Sequence, residues 1–252
     1  MIITNYHIDA PVKLKAAVVA DLHGKPTPEL YRALEEERPD VILLPGDLAT
    51  VGEYENSSPE WRERRKLTRE KGIEFLRDVK DIAPVYYSLG NHEWGVEDEY
   101  RDEVRSSGAV LLENKWVRFG DVWIGGQNSA RCGARSGAPS HNKNENIPDT
   151  EWLKKSPNGY KILLCHHPEY YPLIAPYADL IVAGHTHGAQ WRLFGHGVFA
   201  PNQGWFPKYS KGKYDKMIVS AGLTNTTWVP RINNPCELVV VEMKAAGSTV
   251  AE

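Results

Sequence analysis

Asp179-Leu-Ile-Val-Ala-Gly-His-Thr-His-Gly188 carries the most information about how this chain folds. Leu180 to Ala183 is a short, continuous apolar run, the pattern of a strand buried on both faces. It stops at a glycine, and two imidazoles follow, two residues apart, with another glycine behind them. Glycine allows a sharp turn and a close backbone approach, so both rings can face one site. Chance alone gives roughly 0.002 copies of Gly-His-x-His-Gly in a chain of this composition.

The arrangement recurs in four more places. Lys13–Ala20 is an apolar run followed by Asp21-Leu-His23, and Asp40–Leu44 is followed by Gly46-Asp47. Pro84–Leu89 leads into Gly90-Asn-His-Glu93, and Tyr160–Leu164 into His166-His167-Pro168. Each predicted strand thus ends in oxygen or nitrogen donors, at the rim where open α/β sheets place their ligands. Between the strands, Pro28–Arg38 and Glu97–Ser107 read as helices. So does the charged stretch from Pro59 to Lys80, with Leu67, Ile73, Phe75 and Leu76 at helical spacing. Val110–Leu112, Trp116–Phe119 and Asp121–Gly125 are closely spaced runs that predict antiparallel strands. Residues 130–149 read as a surface loop, and Lys216–Ser220 and Glu237–Met243 as the last core strands. Alternation of this kind predicts one α/β domain over residues 1–244 with a flexible tail at 245–252.

Composition sets the outer limits. The chain has 252 residues, with 30 Lys plus Arg against 33 Asp plus Glu and a formal net charge of -3. That balance argues against a protein built mainly for nucleic acid, so no specific nucleic-acid partner is expected. Hydrophobic residues are 41% and charged residues 25%, ordinary globular usage. The three cysteines, Cys132, Cys165 and Cys236, form no CxxC, which fits a reducing cytoplasm better than a disulfide framework. Cys165 reads as buried packing, and the eight Trp as packing rather than a base-stacking platform. The N-terminus lacks the basic start and apolar run of a signal peptide, and no stretch approaches the ~18 apolar residues of a membrane span. His7, His141 and His196 lie in no motif and read as surface or structural residues.

Carboxylates, imidazoles and a carboxamide without thiolate suit Mn, Fe or Zn. So many donors exceed what one ion needs and point to two cations sharing a bridging ligand, ~3.5–4 Å apart, as in phosphoester-cleaving sites.

In order, Asp-x-His, Gly-Asp, Gly-Asn-His-Glu, His and Gly-His-x-His resemble the pattern of the calcineurin-like metallophosphoesterase superfamily. The segments Gly184–Gln190, Gln203–Tyr209 and Pro230–Pro235 are similar to a narrower bacterial subgroup, the YaeI/YkuE-like phosphodiesterases. The resemblance implies a four-layer α/β/β/α sandwich, two mixed sheets flanked by helices. It implies that Asp21, His23 and His187 hold one metal, that Asn91, His166 and His185 hold the other, and that Asp47 bridges them. It makes Asp47, His92 and Glu93 the catalytic residues. His92 would stabilise the phosphoryl oxygens or protonate the leaving group, and Glu93 would orient that ring. The cofactors implied are two divalent or trivalent transition-metal ions, and the reaction is in-line attack by a metal-bridging hydroxide on a phosphodiester. The family's His-x-Pro pattern selects His166; His167 then points away or lines the pocket.

One departure concerns substrate. Protein phosphatases of this superfamily follow the second motif with an Asp-Arg pair, where this chain reads Gly46-Asp47-Leu-Ala-Thr-Val-Gly52. That counts against a protein phosphatase and against monoester specificity, because a dianionic phosphate gains most from an extra cation. Some relatives act on UDP-diacylglucosamine, so a nucleotide-sugar pyrophosphatase is the alternative; a non-catalytic scaffold is a third reading, and it predicts missing ligands. The expected partner is a small phosphodiester or pyrophosphate. Aromatics and lysines mingle between Trp191 and Lys216, where Arg192 and Lys208, with His167, are the candidate substrate contacts. The same stretch is either an ordinary loop or a surface for a nucleotide, a lipid phosphate or an anionic membrane, so the expected location is cytoplasmic, with peripheral contact to the inner face of the membrane. The charged stretch Glu60–Lys80 reads as a solvated helix face, with a lid over the metals as the other possibility.

Overall fold

In a computed structural model of the chain, which describes residues 1–52, 58–93, 95–129, 148–200, 204–226 and 229–245, strand β2 divides its side chains between two cores. Strand β1 (Ile2–Asp9) precedes it, β2 is Leu14–Val18, and β3 (Val41–Leu44), β4 (Val85–Ser88) and β5 (Val110–Leu112) follow. Ala16, Val18, Val41, Leu43 and Tyr86 enter one core. Ala17, Val19, Ile42, Leu44, Val85 and Tyr87 enter the other. Successive side chains on a strand point to opposite faces, so a run with apolar groups on both faces has to be covered twice. This is why these strands read as unbroken apolar runs.

One cover is helical. Helix α1 (Pro28–Glu37) is capped by Thr27 and buries Leu30, Ala33 and Leu34. Helix α2 (Pro59–Val79) is capped by Ser58, and α3 (Asp98–Ser106) buries Tyr100 and Val104. All three contribute to the core on that face of the first sheet. In α2, Leu67 is 50% exposed while Thr68 beside it is buried. The apolar spacing puts Leu67 inside, but the inner face at that turn is taken by Thr68, whose backbone lies against Gly24 and whose hydroxyl donates to the Thr50 carbonyl.

The other cover is a second sheet. It is built from β6 (Lys115–Phe119), β7 (Val122–Gln127), β8 (Tyr160–Cys165) and β9 (Leu180–Ala183), joined by β13 (Gly212–Tyr214) and β14 (Met217–Val219). Its order is β13-β14-β9-β8-β7-β6, with antiparallel pairs at the two ends and parallel pairs between. The first sheet runs β1-β15-β2-β3-β4-β5, where β15 is Glu237–Lys244, and it is mixed as well, because β15 is antiparallel to β2 and parallel to β1. Ile124, Ile162, Leu164, Val182 and Ile218 meet the first sheet in the central core. The outer face of the second sheet carries Leu163, Cys165, Ile181 and Val219 under Leu153, Tyr170 and Ile174. These cover residues belong to the single turn α4 (Tyr171–Ile174) and to short 3-10 segments. The layers are therefore α/β/β/α, as expected, with a fourth layer much thinner than the first.

Two readings change, and one strand has no signal in the sequence. Val110–Leu112 is not antiparallel to the strands after it; it pairs in parallel with β4 at the edge of the first sheet. Residues 2–9 form a full strand in parallel register with β15, although their side chains are half-exposed and show no apolar run. The stretch after Trp191 is a small third sheet of β10 (Trp191–Leu193), β11 (His196–Ala200) and β12 (Gly204–Trp205). Most of the loop predicted at 130–149 and of the tail at 245–252, with Cys132 and His141, lies outside the described residues. Among the described residues no helix is long and apolar enough to cross a membrane.

The two sheets approach each other closely at Gly126, where an added Cβ would stand 2.4 Å from the Cβ of Leu112 and 2.8 Å from its carbonyl oxygen. Gly126→Ala is expected to lower stability by about 1–3 kcal/mol through overpacking. A urea titration reads this directly, and an unchanged midpoint would contradict the close approach.

Candidate metal centre

The expected donors come from turns at adjoining ends of the two sheets. Asp21 and His23 follow β2, Asp47 follows β3, and Asn91 to Glu93 follow β4. His166 follows β8, and His185 and His187 follow β9, both in the second sheet. The backbone there is unusual. φ is 52° at Asp21, 48° at His23, 54° at Asp47, 71° at His185 and 47° at His187. Left-handed angles are uncommon outside glycine, and they persist where the surroundings over-determine them, most often at functional sites. Gly90 and Gly184 are required for a different reason: a Cβ would lie 2.3 Å from Asp47 Oδ1 at Gly90, and 2.6 Å from Asp21 Oδ2 at Gly184.

These turns aim their side chains at one another. Asp47 Oδ2 lies 3.2 Å from His166 Nε2, 3.5 Å from His23 Nε2 and 3.9 Å from His92 Nε2. Asp21 Oδ1 lies 3.6 Å from His187 Nε2, and Asn91 Oδ1 lies 3.0 Å from His166 Nε2. The His185 ring stands 5.1 Å from that of His166, centre to centre. All seven donors expected to bind metal therefore meet in one place.

The histidines are turned as ligands. His166 Nδ1 is 2.9 Å from the Pro45 carbonyl oxygen, His187 Nδ1 is 3.0 Å from that of Thr224, and His23 Nδ1 is 3.1 Å from Thr50 Oγ1. Donation from Nδ1 to a carbonyl fixes the ring and leaves Nε2 for a metal. His23 Nε2 is buried with no hydrogen-bond partner among the described residues. A buried polar atom without a partner is costly, and a cation between it and Asp47 satisfies both. The donor sets Asp21/His23/His187, Asp21/Asp47/His166 and His23/Asp47/His92 each bring ligand atoms within 4.8 Å of one another. The residues present thus fit metal ions.

Electrostatics agree. Burial holds His23, His185 and His187 below the usual imidazole range, in the neutral form that has a lone pair to give. In His166 burial opposes the proton, yet the Asp47 carboxylate, helped by Asp21 and Glu93, carries it up to about 10. Burial likewise opposes the charge on Asp47, but His166, His92 and His23 hold it well below the carboxylate range. A cation entering here replaces the His166 proton as the partner of Asp47.

The remaining predicted residues occupy varied positions. His92 is edge-on to His23 with ring centres 4.7 Å apart, and its side chain is 31% exposed. Its backbone N–H donates to Asp47 Oδ1 at 2.8 Å. Glu93 is fully buried; Oε2 accepts from the N–H groups of Asp47 and Gly90, and Oε1 from that of Ala49. It clamps the turn of Asp47 to the turn of Asn91. Burial, then the Asp47 charge, push its carboxyl up to about 7. His167 stands beside the cluster: its ring is 4.2 Å from that of His185, and its Nδ1 is 2.9 Å from Glu169 Oε1. Arg192 donates to the carbonyls of Gly188 and Gly195 and to Ser210 Oγ, so it secures the chain after the Gly-His-Thr-His turn. Lys208 sits over the Tyr209 ring, 5.0 Å from its centre. Burial drives the Cys165 thiol far up, which leaves it a packing group. Helix α2 is a wall rather than a lid: Thr68 Oγ1 donates to the Thr50 carbonyl, and Arg65 Nε to that of Val51.

Sequence reasoning missed the supports. Thr224 Oγ1 donates to the Asp21 carbonyl, Asn234 Nδ2 to the His187 carbonyl, and Arg231 Nη2 to the Thr224 carbonyl. In the sequence, the segment Pro230–Pro235 carries only a likeness to relatives. Nothing in its residue types says that it backs His187, 44 residues earlier in the chain.

Comparison with known proteins agrees with this geometry. A family model described as calcineurin-like phosphoesterase matches residues 14–189. An uncharacterized metallophosphoesterase from Aquifex aeolicus is 24% identical over 247 residues, covering 94% of this chain and 87% of its own. One from Campylobacter jejuni is 28% identical and covers 92% of this chain, which spans 59% of that relative. Phosphodiesterase YaeI of Escherichia coli is 25% identical over 209 residues, 73% of this chain and 64% of its own. The match runs from the first residue of β2 to just past the last of the expected donors, His187, and this chain belongs to the calcineurin-like phosphoesterase family.

Proposed function

We propose that this protein hydrolyses phosphodiester bonds with the help of two transition-metal ions, Mn, Fe or Zn. The observation that carries the reading is the buried Asp47 carboxylate, with imidazole nitrogens at 3.2, 3.5 and 3.9 Å from one of its oxygens. These rings come from turns of both sheets, the arrangement a ligand shared between two cations requires. Asp21, His23 and His187 would hold one ion, Asn91, His166 and His185 the other, and Asp47 would belong to both. Bound there, such ions polarise a phosphoryl oxygen and make water acidic enough to attack at neutral pH.

The chain's own residues do the rest. Carbonyls behind His166 and His187 keep Nε2 of each ring turned inward. His92, beside the cluster and 31% exposed, would hold a phosphoryl oxygen and give a proton to the departing one. Glu93 is a positioning residue, since its oxygens fix the two turns that present Asp47, Asn91 and His92. The stretch Leu48-Ala-Thr-Val51 lacks the Asp-Arg pair with which protein phosphatases of this superfamily continue the motif, and this favours a singly charged diester over a dianionic monoester. The name of the Escherichia coli relative, a phosphodiesterase, supports the same choice.

The purified protein is expected to retain about two transition-metal ions per chain and to turn over bis-p-nitrophenyl phosphate; absence of both, by elemental analysis and absorbance, would sink the proposal. Asp47→Ala should abolish turnover and metal retention together, and full activity in it would overturn the shared-ligand assignment. His92→Ala should keep its metal and lose roughly 10²–10⁴-fold in turnover. Glu93→Gln sets an amide donor against backbone N–H donors. It should cost on the order of 1–3 kcal/mol in thermal unfolding and weaken metal retention, with a wild-type melting curve as the contrary result. A panel that includes a nucleotide diphosphosugar shows whether a pyrophosphate is cleaved faster than a diester.

A further inference from the structure

The small sheet β10–β12 starts directly after the Gly-His-Thr-His turn and is tied to it. Arg192 Nη1 donates to the Gly188 carbonyl, and the Ile232 N–H donates to that of Gln190. Trp191, Phe199 and Trp205 form a row across its three strands, with ring centres 5.3 Å and 5.2 Å apart along the row. That row is a rigid base. Around it stand Leu193 at 54% exposure, Phe194 at 91%, Trp205 at 64%, Phe206 at 73% and Ile232 at 47%. These make up half of the large apolar side chains that the described residues leave exposed.

Two of them are doubly unfavourable for folding. Phe194 sits at φ 48° in the β10–β11 turn and Phe206 at φ 56° just past β12. A bulky residue in the left-handed region is strained, and here each also holds its ring in water. Asparagine would fit both turns better and expose less apolar surface. The Phe206 ring stands 6.5 Å from that of Trp205, itself exposed, and the described residues bury neither Phe ring, so both are open to a partner.

Charge narrows the partner. From Trp191 to Lys216 there are five basic residues and one acid, Asp215, in a chain whose formal net charge is -3. Arg192 and Lys216 are spent on carbonyls and Lys211 on Glu237. Lys208 and Lys213 are exposed and have no carboxylate partner among the described residues. A second copy docking through the same patch would set these lysines against their own equivalents. Exposed Phe and Trp followed in the chain by the unpaired Lys208 and Lys213 match an anionic lipid surface instead, where rings enter the acyl boundary and ammonium groups meet the head groups.

We propose that the sheet β10–β12 is a docking platform for an anionic lipid bilayer, which holds the candidate metal centre beside the membrane surface. This does not rest on the hydrolytic reading, because binding is read without metal and without turnover.

The test is flotation of the purified full chain with phosphatidylcholine vesicles, with and without phosphatidylglycerol. The expected result is retention on the anionic vesicles, at least tenfold weaker on phosphatidylcholine alone, and reduced by salt. The paired substitution Phe194→Asn and Phe206→Asn should cut vesicle binding at least tenfold while leaving the melting temperature equal or higher. Its hydrolysis of soluble bis-p-nitrophenyl phosphate should be unchanged. Lys213→Glu should weaken binding severalfold. No wild-type flotation with phosphatidylglycerol overturns the proposal. So does a paired variant that melts lower yet still floats, because the rings are then structural. A wild-type dimer that the paired variant turns into a monomer, without flotation, assigns the patch to self-association and overturns it too.

Discussion

The contact on which the structure depends is the close approach of Asp47 to imidazoles from opposite sheets. Buried carboxylates and imidazoles are tolerated only when paired, hydrogen-bonded or bound to metal. Asp47 meets the first two conditions at once and stands where a cation would supply the third. Its backbone N–H is held by Glu93, one oxygen takes the His92 N–H, and the other faces a fan of Nε2 atoms. Each partner then needs its own turn, and each turn needs a backbone angle or a missing Cβ that the strands must be rigid enough to impose. The apolar strands are therefore more than a core: they are the frame that holds strained loops in register.

The division of labour between the sheets follows from the same constraint. The first sheet, backed by three helices, supplies the carboxylates and His23. The second, backed by short turns, supplies His166, His185 and His187. The seven expected donors are brought together only where the two sets meet. The central core of Val18, Leu43, Ile124, Leu164 and Val182 fixes the distance between them, so apolar packing well below the surface sets the spacing of the donors.

Much of this was legible in the sequence. The buried strands are apolar runs between turn residues, and the expected donors stand one to five positions beyond them, as at Ser88 and Asn91. What stayed hidden was whatever lacks a period or depends on a distant partner. Strand β1 is half-exposed and takes its order from pairing with β15, at the other end of the chain. Leu67 fitted the helical spacing, but the inner face at its turn is filled by a loop backbone and takes Thr68. Three-residue strands such as β10 carry too little pattern to stand out among aromatics and lysines. Thr224, Arg231 and Asn234 support the site through carbonyls, and a carbonyl is common to every residue type.

Because the donors hang from two separate sheets, a cation bound among them would be a cross-link as well as a reagent. Part of the conformational stability is then stored as affinity for the ion, and it grows with the logarithm of free ion concentration. Scarcity of the metal would loosen the seam between the sheets before it disturbed either sheet alone.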